Sequence, residues 1–63
     1  MNANQKAKQI INQFQTELMY TYERSIYASL VCVDIILKEA ADNPVMDFEY
    51  WTAVHKEIKS FLN

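Results

Sequence analysis

A scarcity of helix breakers, joined to one spacing, constrains this chain most. Its 63 residues hold no glycine and a single proline. From Ala3 the apolar positions run Ala7, Ile10/Ile11, Phe14, Leu18, Tyr22, Ile26, Leu30, Val33, Ile36/Leu37 and Ala40. That is a period of about 3.7 residues, the signature of an α-helical stripe. The densest stretch is Ile26–Leu37, where ten of twelve residues are apolar and only Ser29 and Asp34 interrupt. The two Val and two Ile within Leu30–Ile36 would also suit a strand, but Asp34 and Lys38 fall four apart and no second strand exists to pair with it.

Asn2 followed by Gln5 has the spacing of a capping box, and no breaker follows for nearly forty residues. The stripe predicts one long helix over about residues 4–41, roughly 57 Å at 1.5 Å per residue. The competing outcome is a break near Thr16–Thr21, where β-branched and aromatic residues cluster and Thr side chains compete for backbone hydrogen bonds. Asp42-Asn43-Pro44 opens a turn over residues 42–47. Asp47 is placed to cap a final helix over residues 48–62, and Met46 and Trp51 have the spacing of a hydrophobic staple. That helix has one apolar stripe, Trp51, Val54, Ile58, Phe61 and Leu62, with Phe48 also expected inside. The expected fold is all-α and a single domain over residues 1–63. A long N-terminal helix carries a shorter C-terminal one packed back on it as a hairpin.

Two features predict self-association. A helix of about 22 Å covers only half of one of about 57 Å, so an unbroken N-terminal helix would leave Ala7, Ile11, Phe14 and Leu18 uncovered. Around the central stretch, Ile26, Leu30, Val33, Ile36 and Leu37 form a main core face. A separate sector of Ala28, Cys32 and Ile35 is apolar and mostly small, which suits a second close-packed neighbour. A chain this short is also marginal on its own. Its lone cysteine closes no internal disulfide, and no set of metal ligands with suitable spacing is present.

Cys32 and His55 are the one pair suggesting nucleophilic chemistry, but no glycine-rich loop supplies an oxyanion hole and Cys32 falls on an apolar sector. Neither catalysis nor a cofactor is expected. Tyr20, Tyr27, Asp34 and Lys38 line a polar-aromatic face. Its plain explanation is solvation with an Asp34–Lys38 ion pair; its functional one is a surface that stacks on a base or anchors a partner. The net charge of −2 and the lack of a basic stripe argue against direct nucleic-acid binding. The apolar run is too short to span a bilayer and no signal-peptide pattern opens the chain, so a cytoplasmic protein is expected.

Lys6-Ala7-Lys8, the central run Ala28-Ser29-Leu30-Val31-Cys32-Val33-Asp34-Ile35-Ile36-Leu37 and the closing Tyr50-Trp51-Thr52-Ala53-Val54-His55-Lys56-Glu57-Ile58 together resemble a group of small, largely uncharacterised helical proteins of tailed phages and prophages, especially phages of Bacteroidetes. Those proteins open on K-A-K, centre on C-A-L-x-x-V-D-x-I-L and close on Y-W-x-x-V-K-x-E-I. Here the cysteine has moved from the position of Ala28 to Cys32, Ile35 replaces an acid and His55 replaces a lysine. The resemblance implies a phage-like origin and a helical fold, and little about activity. A small phage protein without catalytic residues is expected to work by binding: a homo-oligomer in the host cytoplasm that inhibits or redirects a host or phage protein, with a role against host defence. The alternative is an oligomeric sponge for a nucleotide immune signal, with the Tyr20/Tyr27/Asp34/Lys38 face lining its pocket.

Overall fold

The computed structural model describes residues 1–62, which form three helices and no strand: α1 (Ala3–Glu17), α2 (Tyr22–Asp42) and α3 (Phe48–Ser60). Each helix begins at a side-chain cap. Asn2 accepts from the Gln5 amide at 2.8 Å while the Gln5 side chain accepts from the Asn2 amide at 3.0 Å, closing the expected capping box. Thr21 accepts from the Arg24 amide at 3.2 Å, and Asp47 from the Tyr50 amide at 3.0 Å.

The unbroken helix over residues 4–41 is corrected. The molecule is only 34 Å along its longest axis, too short for a helix of about 57 Å, and the chain turns at residues 18–21. Thr16 already bonds back to the Asn12 carbonyl at 3.0 Å, a side-chain bond that loosens helical preference. Met19 then takes the left-handed conformation at φ 56°, the position after a helix cap that glycine usually fills. The Tyr20 amide returns to the Phe14 carbonyl at 3.4 Å, and the two rings stack. A non-glycine residue in this region costs about 1–2 kcal/mol. The fold-back outweighs that, because it buries Ala7 and Ile11 of α1 inside the chain's own core, and one large aliphatic side chain is worth about 1.5–3 kcal/mol.

The expected hairpin is therefore a three-helix bundle in which every pair of helices packs. The Tyr50 hydroxyl donates to the Met1 carbonyl at 3.3 Å and Asn4 Nδ2 donates to Glu57 Oε1 at 2.8 Å, so α1 and α3 run side by side in the same direction, with α2 antiparallel to both. Ala7, Ile11, Ile26, Val33, Val54 and Ile58 make the core, with Leu30, Leu37, Tyr50, Trp51 and Phe61 packed around it. The α2 core face is also centred differently from expectation. Ser25 and Ser29 are fully buried, each hydroxyl turned onto the carbonyl four residues back, at 2.8 and 2.6 Å. Small side chains there let helices approach closely while the hydroxyls stay satisfied.

Two smaller expectations also change. The last helix stops at Ser60, leaving Leu62 in a turn. Phe48 is exposed, because it leaves α3 about 100° from the direction shared by Val54 and Ile58.

Candidate interaction face on the central helix

Once α1 and α3 are in place, one side of α2 stays open. Tyr27, Val31, Asp34, Ile35 and Lys38 are exposed there, with Arg24, Glu39 and Asp42 at its ends. Tyr27, Val31 and Ile35 follow at steps of four, so each sits over the next turn and they form one apolar stripe. Each is more than half exposed, Val31 most of all at 61%. Single exposed aliphatics are ordinary, whereas a contiguous row is the kind of surface that marks a contact.

The four residues expected to share a polar-aromatic face do not all do so. Tyr20 precedes the α2 cap. Its ring lies 6.1 Å from that of Phe14, and the Arg24 guanidinium sits 4.7 Å above it. Tyr27, Asp34 and Lys38 remain together on α2. Asp34, however, pairs with His55 of α3, Oδ1 to Nε2 at 3.2 Å, in place of the expected partner Lys38. His55 is thus a half-buried helix-boundary residue reaching across α2–α3.

The expected self-association residues divide in the same way. Ala7 and Ile11 are core, and Phe14 is half-buried under Tyr20. Folding α1 back removes the length mismatch that would have left them bare. Leu18 stays exposed at the turn. Ala28 and Cys32 are half-buried, and Ile35 is exposed. Sequence reasoning missed Val31, the most exposed member of the stripe. It leaves α2 about 120° from Ser25 and 160° from Ser29, so its outward direction becomes legible only once those serines are recognised as interior.

Cys32 precedes Asp34 by two residues, about 200° around the helix. It therefore leaves α2 on the far side from His55 and the two form no catalytic couple. Among the described residues no group of three His, Cys, Asp or Glu side chains could hold a metal ion, and no helix is long and apolar enough to cross a membrane. Two shallow clefts of about 140 and 280 Å³ lie on either side of Tyr22, where α2 begins and α3 ends. Both fall below the roughly 300–1,000 Å³ of small-molecule pockets. In comparisons with protein-family models, curated proteins and solved structures, nothing matches the chain.

Proposed function

We propose that this protein works by binding, with the outward side of α2 as its contact surface and no chemistry of its own. The observation that carries this is the Tyr27–Val31–Ile35 row: three large side chains held in water on a helix that packs against both of the others, with charged residues at both ends. A rigid helix face of this kind presents anchors at fixed spacing to a partner helix or groove. In keeping with its phage-like motifs, the protein acts in the host cytoplasm as a homo-oligomeric accessory factor that engages a host or phage protein and blocks or redirects it, a role suited to countering host defence.

The alternative is an oligomer that sequesters a nucleotide. Tyr27, Asp34 and Lys38 do share an exposed flank, but the flank has one lysine against one aspartate, and Tyr20 is held elsewhere. It lacks the surplus of cations that phosphates attract.

Val31→Glu and Ile35→Glu test the proposal, since both sites are exposed and both substitutions keep the helix. Each should leave the melting temperature unchanged and abolish association, whether with itself or with a host protein. Association that is indifferent to both substitutions refutes the role of this face. A rise of several degrees in melting temperature with a cyclic nucleotide or ADP-ribose derivative, lost in Tyr27→Ala, would favour sequestration instead.

A further inference from the structure

We infer that the Leu18–Thr21 corner is a hinge whose straightening lets two copies exchange α1, each α1 packing on α2 and α3 of the second copy. This goes beyond the binding role proposed above and makes no use of the open side of α2. The corner is short and strained, the condition that invites exchange of this kind. Four residues reverse the chain between α1 and α2, and Met19 holds φ 56° where no glycine is present to take it. Little separates these residues from a helix. Leu18 is already in the right-handed region, Thr21 leaves it in ψ, at 163°, and no proline or glycine stands nearby.

The helical phase also carries through the break. Along a straightened Ala3–Asp42, at about 100° per residue, Ala7 and Ile11 of α1 and Ser25, Ile26, Ser29 and Val33 of α2 fall within an arc of about 100°. All six are buried. A straightened chain thus carries the interior faces of both helices as one strip about 60 Å long. Its own α3, with 13 residues, covers only about 20 Å of that. Two such chains related by a two-fold axis at the corner set each α1 antiparallel to α2 of the second copy, as it is in the single chain. α1 then runs parallel to α3 of the second copy, and the Asn4–Glu57 and Tyr50–Met1 bonds are remade between copies. Leu18 and Tyr22, 53% and 50% exposed in the single chain, lie in the same arc and equally far from the axis. Leu18 of one copy therefore meets Tyr22 of the other. The exchange repeats the interior packing of α1, covers these two residues and releases Met19. It gives up the Phe14–Tyr20 stack, the Arg24 contact with Tyr20 and the Thr21 cap. Tyr27, Val31 and Ile35 fall on the far side of the strip, so the row stays open in both copies. Releasing α1 opens the core, so exchange occurs among unfolding chains and its product outlives dilution.

Refolding from urea under reducing conditions, at about 10 μM and at about 1 mM, tests the hinge. Only the concentrated sample should yield a dimer, and that dimer should persist through dilution. When isotope-labelled and unlabelled chains are refolded together, NOEs should run from the Ala7 and Ile11 methyls of one chain to Val54 and Ile58 of the other. Met19→Gly relieves the corner and weakens the straight helix, so it should lower the dimer yield at least about tenfold. Val31→Glu should leave the yield unchanged. No lasting dimer at the higher concentration, interior NOEs confined to one chain, or a yield indifferent to Met19→Gly overturns the exchange. A dimer that dissociates on dilution and is lost in Val31→Glu also overturns it, and leaves the binding role of α2 standing. Exchange that persists while binding ignores Val31 removes that role and leaves the hinge.

Discussion

The rings of Phe14 and Tyr20 lie parallel within 2° across the turn that ends α1, with centroids 6.1 Å apart. This contact fastens the corner that makes the chain a bundle, and Met19 between them bears the backbone strain at φ 56°. Glycine adopts that conformation without the steric penalty. Met19 is also 87% exposed, so its side chain contributes little packing to lose. Met19→Gly should therefore raise stability by about 0.5–1 kcal/mol, a few degrees in Tm, and Met19→Val should lower it. Thermal denaturation followed by circular dichroism checks both; a destabilised glycine variant means the corner depends on the methionine side chain.

Ser29 separates close packing from hydrogen bonding. Its hydroxyl is satisfied within α2, so Ser29→Ala should cost no more than about 1 kcal/mol. Ser29→Leu forces a large side chain into a fully buried site and should cost about 1–3 kcal/mol. Urea titrations of the two variants should differ clearly in midpoint. Equal midpoints would mean the helices are not closely apposed there.

The Asp34–His55 contact joins α2 to α3, but Asp34 is 57% exposed. Partly exposed pairs of this kind contribute about 0.2–1 kcal/mol and weaken with salt. A double-mutant cycle with Asp34→Ala and His55→Ala should return a coupling in that range, and the parallel cycle with Lys38→Ala should return none. Coupling to Lys38 that exceeds coupling to His55 would restore the pairing along α2 that local spacing suggests.

Buried and exposed valines should respond in opposite ways. Val54 is fully enclosed by the core, so Val54→Ala should destabilise by about 1–3 kcal/mol through lost burial and an unfilled cavity. Val31→Ala should change the stability of the isolated chain by less than about 0.5 kcal/mol. Denaturation at low micromolar concentration compares them directly.

Much of this fold was legible because its signals are local. The Asn2–Gln5 box, the Asp47 cap, the turn at Pro44 and the Val54–Ile58 stripe each depend on residues within one or two turns. The corner at residues 18–21 was less so. Met19 has no sequence mark of a left-handed residue, and the apolar period runs on through the break. What decides the fold-back is tertiary: Ala7 and Ile11 find cover only when α1 reverses. Asp34 shows the same limit at the candidate site, since Lys38 is its neighbour along the helix while His55 arrives from another helix. Val31 was hidden for a related reason. A continuous apolar run does not declare which member faces out until Ser25 and Ser29 are placed inside.

Solution mass as a function of concentration tests the central claim most directly. Sedimentation from low micromolar to several hundred micromolar should carry the parent chain from its 7.4 kDa monomer mass toward twice that value. Val31→Glu should remain at the monomer mass with unchanged helicity. A parent that stays monomeric across the whole range, or a Val31→Glu variant that associates as the parent does, would contradict the account of α2 as the contact surface of a homo-oligomer.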